Sequence, residues 1–216
     1  MPSPACDDAI YLYRLDLCGL VVFLFEYISR DTDYKRWGHE NISAGKEPGR
    51  SLRSDGYHQD ELVNARMSYD GIFQIVKRSV RKVTGLERSG LGLALSDLPA
   101  TVGAYWQVGG NYIVMNESLV NAMSRIARSP LEFNSFIFSI LAHEYLHSVG
   151  FINEAEARAM TALVTREYFG PSHPASILSN GDLWSVYPEL LQVHGGDGSR
   201  LKIVNRFDSD STSYIA

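Results

Sequence analysis

Residues 129–150 read SPLEFNSFIFSILAHEYLHSVG, and the fold is decided by what this stretch must be. Ser129 is a good N-cap, Pro130 sits where a missing N–H costs nothing, and Glu132 stands at the third helical position, from which it can reach back to the cap. The pattern predicts a helix from Pro130 to about Ser148, stopped by Gly150. Its apolar residues, Leu131, Phe133, Phe136, Ile137, Phe138, Ile140 and Leu141, cover most of the circumference, so this helix belongs in the centre of a domain. Imidazoles and a carboxylate at His143, Glu144 and His147 are costly in such a place unless they are paired or bound to an ion.

Working outward, residues 154–168 have the pattern of a second helix, with Asn153 as its N-cap. On the N-terminal side, Asn116 caps a helix reaching residue 128. Before it, 91–95, 102–108 and 112–115 are short, β-branched or aromatic runs punctuated by glycine, read as a small antiparallel or mixed sheet. A mostly helical apolar period spans 61–83 and ends at Gly85. A short helix over 182–191 and a strand over 201–207 complete an α+β domain spanning 61–216, its sheet packed on the central helix and flanking helices. Residues 1–60 precede it as an apolar segment, LDLCGLVVFLFEYI at 15–28, and a polar linker over 30–60.

The chain has 216 residues, 45% hydrophobic and 21% charged, which suits a folded domain rather than a disordered tail. With a net charge of −5 and no basic run beyond Lys77, Arg78, Arg81 and Lys82, nucleic acid is not an expected partner. Cys6 and Cys18 match neither a zinc ribbon nor a redox pair, and a reduced, cytoplasmic location is expected. The apolar segment is interrupted by Asp16 and Glu26, falls short of the ~20 residues a membrane span needs, and follows Asp7 and Asp8. Neither a signal peptide nor an anchor is expected. His39 and His58 read as surface residues.

Histidines four apart on a helix lie on one face, one turn apart, and both can reach a single cation at about 2.0–2.1 Å. Glu144 is displaced about 100° around the helix, beside such a cation without having to bind it. There it can accept a proton from a water that the metal acidifies as the water attacks a carbonyl, and return that proton to the leaving group. The segment His143-Glu144-Tyr145-Leu146-His147-Ser148-Val149-Gly150 resembles the HExxHxxG motif of zinc metallopeptidases with the zincin fold. The wider stretch from Gly92 to about Pro188, about half the chain, is similar to small HExxH proteins of archaeal type. The resemblance implies a Zn2+ cofactor, a peptide or protein substrate, Glu144 as general base, and an edge strand above the helix that pairs with extended substrate, here residues 111–115.

The third ligand separates the branches of that family. In metzincins it is a histidine six residues after the second, and that position here is Asn153, a poor zinc ligand. Gluzincins use a Glu from the following helix, which offers Glu154 and Glu156. With Asn153 as cap, Glu156 occupies the capping-box position, so Glu154 is the preferred ligand with His143 and His147. The resemblance also suggests that His173, in the loop after that helix, steadies an oxyanion. Tyr168, Tyr112 and Trp106 are candidates for a substrate groove or for core packing, and His194 has no evident partner. Two other functions remain open: a zinc hydrolase acting on another substrate, such as an RNA-processing enzyme, and a binding module in which zinc is structural.

Overall fold

The computed structural model describes residues 56–181 and 183–209. The apolar segment 15–28, most of the linker, both cysteines and His39 lie outside the described residues.

Helix α1, Tyr69–Thr84, starts eight residues later than the apolar period suggests. Ser68 caps it by accepting from the Gly71 N–H, and Gly85 ends it in the left-handed region with φ 74°. The reason for the late start is tertiary. Asn134, buried on the central helix, donates to the carbonyls of Leu62 and Asn64 and accepts from the Met67 N–H. These bonds satisfy an irregular backbone that would otherwise favour helix, while Leu62 is still fully buried.

Three strands follow, β1 (Gly92–Ser96), β2 (Ala104–Trp106) and β3 (Tyr112–Asn116). Next come helices α2 (Glu117–Ile126), α3 (Pro130–Ser148), α4 (Glu154–Phe169), α5 (Pro174–Asn180) and the short α6 (Leu183–Val186). The expected helix over 182–191 is split at Pro188, where a 3-10 turn continues to Gln192. Strand β4 is shorter than expected, Leu201–Ile203. Residues 206 and 208 beyond it have positive φ, which removes them from any ladder.

The sheet is mixed, in the order β2-β3-β1-β4. β1 runs parallel to β3, while β2 and β4 are antiparallel to their neighbours. Leu93, Leu95, Ile113, Met115, Ala104 and Trp106 share one face and enter the main core with the helices. Ala94 and Val114 on the other face pack with Leu98 and Val102 in a small second cluster. Residues 111–115 are therefore interior to the sheet, and among the described residues the edge strand next to α3 is β2.

Helix α3 is the hub, packed against α1, α4, α5 and β2. Its predicted cap is present: Ser129 Oγ accepts from the Glu132 N–H at 3.1 Å, and Glu132 reaches back to the Arg128 N–H at 2.6 Å. Among the described residues no helix is long and apolar enough to cross a membrane.

Lys77 and Asp208, buried to 4% and 0% exposure, form an ion pair at 2.7 Å that ties the C-terminal tail to α1. The other Asp208 oxygen accepts from the N–H groups of Gly90 and Leu91. Asp208→Ala strands a buried ammonium and two backbone donors, and is expected to cost about 3–5 kcal/mol in urea unfolding. Adding Lys77→Met should recover much of that loss.

Candidate metal centre

Helix α3 sets His143 and His147 one turn apart on the face toward α4, with Nε2 atoms 2.9 Å from each other. Gly150, at φ 121°, then reverses the chain, a conformation that side-chain-bearing residues rarely adopt. The reversal has two products. The Phe151 carbonyl comes back under the helix end and accepts from His147 Nδ1–H at 2.7 Å. Asn153 then caps α4 by accepting from the Glu156 N–H at 3.2 Å, and Glu154 opens that helix.

Glu154 Oε2 lies 3.3 Å from His143 Nε2 and 3.2 Å from His147 Nε2. These three atoms form a nearly equilateral triangle. A tetrahedral zinc site with bonds of about 2.0–2.1 Å has ligand-to-ligand edges of roughly 3.3–3.4 Å, so the donors need to shift by only a few tenths of an ångström, roughly, to hold one ion. The Phe151 carbonyl fixes the proton of His147 on Nδ1 and leaves the Nε2 lone pair facing the triangle. Arg158, one turn after Glu154, donates Nε–H to Glu154 Oε1 at 2.7 Å, which turns Oε2 toward the histidines.

Charge follows from burial. Desolvation lowers the His143 pKa to about 4, against the opposing pull of Glu154, so the imidazole is neutral and able to ligate near neutral pH. For Glu154, burial acts upward, but its close contacts with the His143 and His147 rings and with the Arg158 guanidinium hold its carboxyl well below the usual range. Glu144 is buried to 1% exposure beside them. Desolvation first, and then the charge of Glu154, push its pKa well above the ordinary carboxylate value, while a backbone hydrogen bond from Trp106 opposes them. A cation in the triangle acts the other way and favours the ionised form. Glu144 Oε1 accepts no hydrogen bond among the described residues, a condition a buried carboxylate rarely tolerates without a chemical use.

Beside His143 a cavity of about 80 Å³ opens between the start of β2 and helices α3, α4 and α5. Ala104, Ile140, Leu178 and Arg158 are among its lining residues.

The donors His143, His147 and Glu154 are thus brought together as the sequence suggested, and Glu156 is left to the cap. His173 is employed differently. Its Nδ1 accepts from the Ala175 N–H as the N-cap of α5, its ring stacks on Phe169 at 4.4 Å, and it is not one of the clustered donors. Tyr168 packs in the core and Tyr112 lies over Gly92 at the rim of the sheet. Arg158 and the Phe151 carbonyl were not anticipated. The first had a signal in the Glu154/Arg158 spacing of four; the second, a main-chain group placed by a glycine turn, had none.

Compared with known proteins, the chain matches no family profile, no curated protein and no solved structure.

Two outcomes are expected. In metal titrations monitored by atomic absorption, Glu154→Ala should weaken zinc binding at least ~100-fold and Arg158→Ala about 10–100-fold, while Glu156→Ala leaves it unchanged. Burial lowers the His173 pKa to about 4, from 6.5 in the unfolded chain. The unfolded state therefore takes up the proton first, and stability is lost as pH falls from about 6.5 toward 4. His173→Asn, which keeps a capping side chain, should remove up to ~3 kcal/mol of that acid sensitivity in unfolding curves.

Proposed function

We propose that this protein is a zinc-dependent metallopeptidase with a zincin-like fold and a glutamate third ligand. The observation that carries the reading is the triangle of His143 Nε2, His147 Nε2 and Glu154 Oε2, with the partnerless Glu144 carboxyl oxygen buried beside it. Zinc held there would acidify a water molecule and polarise a carbonyl.

The chain's own residues supply the rest. Glu144 takes the proton of the attacking water and delivers it to the departing amine, a role that its burial beside the triangle suits. Arg158 keeps Glu154 in a single-oxygen approach to the triangle. Three protein ligands, with no fourth clustered donor among the described residues, leave a position open for water and substrate. This openness favours an enzyme over a module with structural zinc.

Peptide as substrate is supported by the edge strand. Asn116 N–H donates to the Gly103 carbonyl, and Ala104 stands opposite Met115. In an antiparallel ladder alternate residues face the partner, so Tyr105 bonds toward β3 while the main-chain groups of Ala104 and the Trp106 carbonyl point off the edge, the Trp106 N–H being turned toward Glu144. An extended peptide can pair there, with a side chain in the cavity beside His143. A cytoplasmic location accompanies this reading.

Glu144→Gln tests it. The variant should keep stoichiometric zinc and lose ~100-fold or more in kcat on quenched fluorescent peptides. Wild-type protein without bound zinc, or an active Glu144→Gln variant, would sink the proposal.

A further inference from the structure

Arg88 lies outside the HEYLH helix, in the segment between α1 and β1, yet its bonds converge on both sides of Glu144. Its main chain is held by Tyr145, the residue after Glu144: the tyrosine hydroxyl accepts from the Arg88 N–H at 2.7 Å and donates to the Arg88 carbonyl at 3.1 Å. Its guanidinium donates from Nη1 to the carbonyl of Ser148, the residue after His147, at 3.1 Å. These contacts bind Arg88 to the metal helix. Its Nη2 reaches the other way, to the Gly110 carbonyl at 2.7 Å and to Asn111 Oδ1 at 3.1 Å in the β2–β3 hairpin.

The Gly110 carbonyl is shared. Trp106 Nε1–H donates to it at 2.9 Å, and the Arg88 guanidinium carbon lies 5.2 Å from the centre of the Trp106 ring. Trp106 is therefore gripped through its side chain by the same guanidinium that holds the end of α3. Its main chain is the part of β2 that faces off the edge, on the side where β2 packs against α3. A fork of several N–H donors is needed to reach a helix end and a hairpin at once, which arginine has and lysine lacks.

We propose that Arg88 is the positioning residue for Glu144, clamping the β2–β3 hairpin to the end of α3 and so fixing Tyr145, the neighbour of Glu144, and the edge strand β2 in register with the metal triangle. The proposal rests on the metallopeptidase reading for its effect on turnover, and on geometry alone for its effect on Trp106. Arg88 touches none of the three donors, so zinc binding is separable from it.

The test compares wild type with Arg88→Lys and Arg88→Gln by zinc content, peptide kinetics and amide hydrogen exchange. Zinc content should be unchanged, kcat should fall at least ~10-fold, and KM should move less than ~3-fold. The Trp106 amide should exchange at least ~10-fold faster, while the Phe138 amide inside α3 exchanges at the wild-type rate. Equal acceleration at Trp106 and Phe138 would mean a general loss of stability and would overturn the proposal, as would an unaltered kcat in an active enzyme. If the wild type binds no zinc or cleaves no peptide, the metallopeptidase reading fails, and exchange at Trp106 still decides whether Arg88 sets the edge strand.

Discussion

Burying two imidazoles and a carboxylate on one turn of an otherwise apolar helix is the constraint on which the rest of this structure depends. Leu141, Ala142, Tyr145 and Leu146 around them are fully buried, so the polar groups cannot turn to solvent. Each must be met by something the protein supplies. The glycine turn at Gly150 supplies most of it, because one reversal delivers a main-chain acceptor to His147 and the first turn of α4 to both histidines. Sheet and helix meet close by, where the edge strand β2 packs on α3.

The charges around this point balance only in particular ways. With His143 held neutral by burial, two carboxylates lie beside each other, and Arg158 offsets Glu154 from its outer, half-exposed side. Burial and the charge of Glu154 both raise the proton affinity of Glu144. A divalent ion in the triangle would offset the charge of both carboxylates at once and favour the ionised form of Glu144.

Local chemistry was the legible part. The Ser129 and Asn116 caps, Asn153 and the stop at Gly85 are set by interactions within a few residues of each, and all four stand where the pattern put them. Strand order was not legible, because alternation says which face of a strand is buried and not which strand lies beside it. The sheet edge expected at residues 111–115 consequently lies at β2, and an expected antiparallel neighbour became the parallel β1–β3 pair. The delayed start of α1 is of the same kind, since it depends on Asn134, about seventy residues away in sequence. His173 shows the complementary limit: a histidine between Ser172 and Pro174 fits a capping position as well as a reactive one, and only burial against Phe169 separates them.

The choice between Glu154 and Glu156 shows how far cap geometry alone can carry a functional inference. Both are acidic residues in the first turn of α4, equally favoured there by the helix dipole. The difference is angular. The third helical position lies beside the cap, whose Asn153 side chain engages its N–H, whereas the first lies roughly 200° round the axis, on the side toward the returning α3. Arg158, four residues on, shares the face of Glu154 and occupies one of its oxygens, so the remaining one is presented to the histidines. A capped helix start, a glycine turn and an i,i+4 pair, each ordinary alone, together specify which carboxylate completes the triangle.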